Sequence, residues 1–92
     1  IFVTGGYLRS VLLFRKDGIL AITALFAHPV LHKWRTVARV IHEDHNYAIY
    51  STQNEWIGTV DDRNQKIQNV LQILKSHGVR ISEKQSIREN RD

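Results

Sequence analysis

The chain has 92 residues, 42% of them hydrophobic, and its 13 Lys and Arg against 9 Asp and Glu give a net charge of +4. That length supplies one domain with one modest core and leaves little room for a large enclosed cleft, while the absence of Cys excludes a disulfide framework or a thiolate zinc site and points to a cytoplasmic setting. The longest apolar run, Ile19 to Phe26, is too short to span a bilayer, so no membrane partner is expected.

Met is absent as well and the chain opens at Ile1, the expectation for a trimmed N-terminus. Val3-Thr4-Gly5-Gly6 lacks the third glycine of a dinucleotide-binding fingerprint and reads as a simple turn. The hairpin signal lies in Val11 to Phe26, where two apolar runs flank Asp17-Gly18, a pair suited to a type I′ turn because both central residues need positive φ. Apolar residues stand at nearly every position of this ribbon, which implies cover on both faces, for example by helices. A helix over Gly6 to Lys16, ended by Asp17-Gly18, is the competing reading.

His28 to Ile41 admits two readings. As a helix, Pro29 takes the first position, Val30, Trp34, Val37, Ala38 and Ile41 line one face, and His32, Lys33, Arg35, Thr36 and Arg39 stay outside. As a strand, Trp34, Thr36, Ala38 and Val40 face the core, supported by the β-branched residues. The position of Pro29 and the spacing agree with each other, so a basic helix over 29–41 is preferred. His42 to Asn46 is a polar break, Tyr47 to Ser51 a short strand, and Trp56 to Gly58 an edge strand.

From Thr59 to Gly78 the signals converge on an amphipathic helix. Asp61 and Asp62 supply N-cap oxygens, Asp62 and Gln65 have capping-box spacing, and Ile67, Val70, Leu71 and Leu74 form one face. Gly78 suits the left-handed position that ends a helix, and Val79-Arg80-Ile81 reads as a returning strand. From Ser82 onward the sequence is polar, with only Ile87 apolar. The expected fold is a single small α+β domain over residues 1–82, with a mainly antiparallel sheet built on the Val11–Phe26 hairpin and on Tyr47–Ser51. The C-terminal amphipathic helix and the second, basic helix pack on it, and 83–92 form a frayed tail.

The functional signals are the cations, the aromatics and the histidines. Clustered guanidinium and ammonium groups release counterions on meeting phosphate, so the first reading is a small non-enzymatic nucleic-acid-binding protein. Lys33, Arg35 and Arg39 are its phosphate contacts, Arg15 and Lys16 secondary ones, and Trp34 is taken as a core anchor. The rival is a protein-protein interaction module, an inhibitor or immunity-type partner, with Trp56, Tyr47 and Tyr50 as anchors. A small metal-independent ribonuclease comes third, using His42 or His45 with Glu43, Asp44, Tyr47 or Tyr50, and Arg35 or Arg39 on the phosphate. His28 with His32, and His42 with His45, have spacings a metal could use, but surface histidines are the default and no metal ligand, catalytic residue or cofactor is assigned.

Overall fold

A computed structural model of the chain describes residues 1–4, 11–22 and 28–84. Alternation decides the first sheet: Leu12, Phe14, Ile19 and Ala21 are buried on one side, while Leu13 and Leu20 are half-buried on the other. β1 (Phe2–Thr4), β2 (Val11–Phe14), β3 (Gly18–Ile22) and β4 (Val30–Lys33) form an antiparallel sheet in that order. A 3₁₀ turn, Trp34–Thr36, leads to β5 (Val37–Glu43), β6 (Asn46–Ser51) and β7 (Trp56–Asp61), then α1 (Ile67–Ser76) and β8 (Arg80–Glu83). The second sheet has the order β7-β6-β5-β8, antiparallel except that β8 runs parallel to β5.

One core joins the two sheets and the helix. Val3, Leu12, Phe14, Ile19 and Ala21 of the first sheet meet Val40, Ile49, Ile57 and Val60 of the second, with Ile67, Val70 and Leu74 of α1 completing the cluster. Each fully buried aliphatic side chain contributes about 1.5–3 kcal/mol relative to exposure. The helix stops at a Schellman motif: Val79 N–H donates to the Leu74 carbonyl and Gly78 N–H to that of Lys75, with Gly78 at φ +79°. The α+β class and the helical stripe thus stand as the sequence implies.

Several expectations are corrected. Residues 29–41 contain no second helix; they form β4, the 3₁₀ turn and most of β5. Long-range pairing overrides the local spacing, because β4 completes the first sheet on β3 while β5 is paired on both edges, by β6 and β8, and buries Val37 and Val40. The hairpin and Tyr47–Ser51 belong to different sheets. Among the described residues the ribbon's outer face is only partly covered, since Ile22 is 42% exposed while Val11, Leu13 and Leu20 are half-buried.

Asp17-Gly18 is not a type I′ turn. The central residues are Lys16 and Asp17, neither at positive φ, and Arg15 N–H donates to the Gly18 carbonyl. Gly18 is required for a different reason, since a Cβ there would lie 2.2 Å from the His32 carbonyl oxygen of β4. The turn with two positive-φ residues is Asp44-His45, at φ 52° and 67°, joining β5 to β6 through the supposed polar break.

Asp61 and Asp62 do not cap α1, which begins later at Ile67 behind Lys66. Asp61 instead accepts the Arg63 N–H at 2.7 Å and Asn64 Oδ1 that of Lys66 at 2.8 Å, so the polar residues fold a turn ahead of the helix. Glu83, the first residue of the expected tail, belongs to β8. Val11–Phe14 is strand, against the alternative helix over Gly6–Lys16; residues 5–10, 23–27 and 85–92 lie outside the described residues.

Candidate functional site

Register builds the site. In the second sheet Arg39 pairs with Arg80 on β8 and with Tyr50 on β6, and Tyr50 pairs with Trp56 on β7, so four side chains share one row on one face. The next row on that face is Ser82, Ile41, Ala48 and Thr59, and the next Glu43, Asn46 and Asp61. The opposite face holds Val40, Ile49, Val60 and Ile81 against the core. A bulge at Ile57 lets Trp56 stay on the outer face while Ile57 turns inward.

The outer face is a shallow depression of about 530 Å³ lined by Arg39, Ile41, Ala48, Tyr50, Thr59 and Ser82, among others. Arg39 lies over the Tyr50 ring, 5.3 Å from its centre, and donates to Asn54 Oδ1. Trp56 Nε1 donates to Thr59 Oγ1 at 2.8 Å, which fixes the indole on the platform. Among the described residues the salt bridges of Arg and Lys side chains join Arg15 to Asp17, Arg63 to Asp61 and Lys84 to Glu43, and none involves Arg39 or Arg80. Arg39 and Arg80 are register partners on β5 and β8, and Arg39 turns its guanidinium to the β6 side, over Tyr50 and onto Asn54.

The named cations fall in three places. Arg39 is on this platform. Lys33 ends β4 opposite Gly18 and so sits by the hairpin turn that carries Arg15 and Lys16, where Arg15 is paired with Asp17 at 3.2 Å. Arg35 is exposed on the 3₁₀ turn between the sheets. Trp34 is half-buried against the core, donates from Nε1 to the Arg15 carbonyl at 2.9 Å, and stacks on His77 at 4.0 Å. Of the aromatics, Tyr50 and Trp56 share the platform, whereas Tyr47 points to the opposite face and stacks on His42 at 4.0 Å. Arg80 was missed by sequence reasoning, although alternation along Val79-Arg80-Ile81 marks it as the outward residue.

The histidines are placed differently from one another. His42 Nδ1 lies 2.7 Å from Glu83 Oε1 and its Nε2 3.0 Å from Asp62 Oδ2, while the exposed His45 reaches the same Asp62 oxygen at 3.4 Å. The hydrogen bond with Asp62 above all, and then Glu83, raises the His42 pKa against the opposing effect of burial. Burial, and then the Glu83 and Asp62 charges, push the Tyr47 phenol up; burial pushes His32 down against Glu55. Among the described residues no group of three or more His, Asp or Glu side chains is placed to hold a metal ion, and no helix is long and apolar enough to cross a membrane.

Compared with protein-family models, with curated proteins and with solved structures, the chain finds no match in any of the three.

Proposed function

We propose that this is a small non-enzymatic binding protein that holds single-stranded nucleic acid on the outer face of its second sheet. The row Trp56, Tyr50, Arg39, Arg80 carries this reading, because it puts two aromatic rings beside two arginines that have no carboxylate partner among the described residues. Bases stack on Tyr50 and Trp56, and Arg39 and Arg80 take the phosphates between them. An exposed sheet face suits a splayed single strand better than a duplex, whose bases are closed to stacking. Lys33, Arg15 and Lys16 form a separate cationic edge that extends the field seen by a long strand. A cytoplasmic setting belongs to the same proposal.

The ribonuclease reading is weaker on geometry at His42, whose two nitrogens both face carboxylates; the exposed His45, the other candidate base, lies 3.4 Å from Asp62 Oδ2 through Nδ1. Binding of a fluorescent ten-nucleotide oligouridine or oligothymidine at low salt tests the proposal. Arg39→Ala and Arg80→Ala are each expected to weaken binding and lower the salt slope by about 1, and Tyr50→Ala to weaken it by roughly 1–3 kcal/mol. No binding at low salt rejects it. A stoichiometric protein partner retained at high salt and lost in Trp56→Ala establishes the interaction-module alternative instead.

A further inference from the structure

Both ring nitrogens of His42 meet carboxylates that come from different parts of the chain. Nδ1 is 2.7 and 2.8 Å from the two oxygens of Glu83 on β8, and Nε2 is 3.0 Å from Asp62 in the turn that follows β7. A neutral imidazole has a single N–H, so it satisfies one of these carboxylates and turns a lone pair on the other; only imidazolium donates to both. We propose that His42 is a proton-operated clamp, which when charged ties the C-terminal end of β8 to β5 and to the turn before α1, and which releases that end when the ring loses its proton.

The surroundings favour the charged ring. His42 is 22% exposed and lies flat on Tyr47 of β6, which orients the ring; of its two partners Asp62 is mostly buried and Glu83 mostly exposed, so water competes chiefly at Nδ1. From the β5–β6 turn come Asp44 and the exposed His45, which shares Asp62 at 3.4 Å; from β8 and the residue after it come Glu83 and Lys84. Lys84 is engaged by Glu43 at 3.2 Å, so it does not cancel the carboxylates that hold the ring. Two further polar ties act at this end, that salt bridge from Lys84 to Glu43 of β5 and the Lys84 N–H donating to the His42 carbonyl at 3.1 Å. These groups line a depression of about 420 Å³ open to solvent, which gives protons access.

β8 is vulnerable to losing this clamp. Among the described residues it pairs with β5 alone, over four residues from Arg39 with Arg80 to His42 with Glu83, and the clamp sits on the last pair. The direction of pH dependence follows from the raised pKa of His42, caused first by Asp62. The stabilisation is complete below the ordinary histidine value of 6.5 and disappears as pH rises through the higher folded value. The clamp stands whether or not the second sheet binds nucleic acid.

The 92-residue chain, titrated by NMR from pH 5 to 9 with amide exchange measured alongside, tests it. The His42 ring is expected to titrate above 6.5, and the exchange of β8 amides, corrected for intrinsic rate, to rise about tenfold across the same midpoint, while Val70 and Leu74 in α1 stay protected. Glu83→Gln and Asp62→Asn each lower that midpoint, and His42→Gln abolishes the pH step. A ring midpoint at or below 6.5, β8 exchange without a pH step in the wild type, or a step that survives in His42→Gln overturns the clamp. Should His42→Gln fail to fold, an unchanged midpoint in Glu83→Gln overturns it equally.

Discussion

Leu12 of β2 occupies the space above Gly58 of β7, so close that a Cβ on residue 58 would stand 2.7 Å from Leu12 Cδ2. The two sheets touch through this pair, and Leu12 is fully buried, so its methyl groups and Cγ must shift to admit the new atom. Gly58→Ala is therefore expected to destabilise the fold by about 1–3 kcal/mol in chemical denaturation. In a Leu12→Ala background the added methyl fills part of the cavity, and its penalty should fall below about 1 kcal/mol or reverse. Equal penalties in both backgrounds would show that the cost comes from the backbone instead of this contact.

Gly78 makes the opposite case. It sits at φ +79° with nothing within 4 Å of an added Cβ, so space is free and only the conformation resists a side chain. Gly78→Ala is expected to cost about 1–2 kcal/mol, and Gly78→Asn clearly less, because Asn tolerates the left-handed region. Thermal or urea unfolding of both variants measures this, and equal losses for Ala and Asn would mean that the left-handed geometry is not what selects glycine.

The contrast also marks what the sequence made legible. Gly78, Leu74 and Val79 form a local motif, so its residues announce it within a few positions, and the apolar stripe Ile67, Val70, Leu74 repeats at the helical period over the same stretch. Residues 29–41 depart from the helix their sequence implies because Pro29 and the spacing are local signals while the pairing with β3, β6 and β8 is not. The platform was half legible. Arg39, Tyr50 and Trp56 were each picked by residue type, but assigned to two different roles, since only cross-strand register puts them in one row with Arg80. Tyr47 was grouped with Tyr50 although three residues apart on a strand means opposite faces. Asp44-His45 carries a primed turn that Asp17-Gly18 matched better by composition, and the close approach of His32 explains why glycine stands at 18 without making that turn.

Asp61 offers a prediction in acid. The Arg63 side chain donates to it from Nε at 3.0 Å and from Nη2 at 2.9 Å, and with the Arg63 backbone N–H these bonds lower its pKa from 3.8 to about 2. A depressed carboxyl stabilises the fold above its unfolded value and loses that effect as pH falls through the folded one, so the turn before α1 should loosen between about pH 4 and 2. NMR titration of the Asp61 carboxyl is expected to give a midpoint near 2. Arg63→Ala removes the largest cause and should bring the midpoint part of the way back towards 3.8, the remaining depression coming from the backbone N–H and, to a smaller extent, His45. A wild-type midpoint near 3.8 would rule out the pairing in solution.

Trp34 links the hairpin turn of the first sheet to the end of α1 by two separable contacts. Its indole N–H donates to the Arg15 carbonyl at 2.9 Å, and its ring lies parallel to His77, 5° apart in plane with centres separated by 4.0 Å. Trp34→Ala removes both contacts and the packing on the core, for an expected loss of about 2 kcal/mol, below the cost of a fully buried Trp because the ring is half-buried. Trp34→Phe keeps a ring over His77 but not the donor, and should cost about 1 kcal/mol; His77→Ala keeps the donor but not the stack, and should also cost about 1 kcal/mol. If the contacts act separately, the Trp34→Phe and His77→Ala losses add in the double variant to within about 0.5 kcal/mol. A coupling above about 1 kcal/mol by urea denaturation would mean that the hydrogen bond to Arg15 depends on the stack to position the indole.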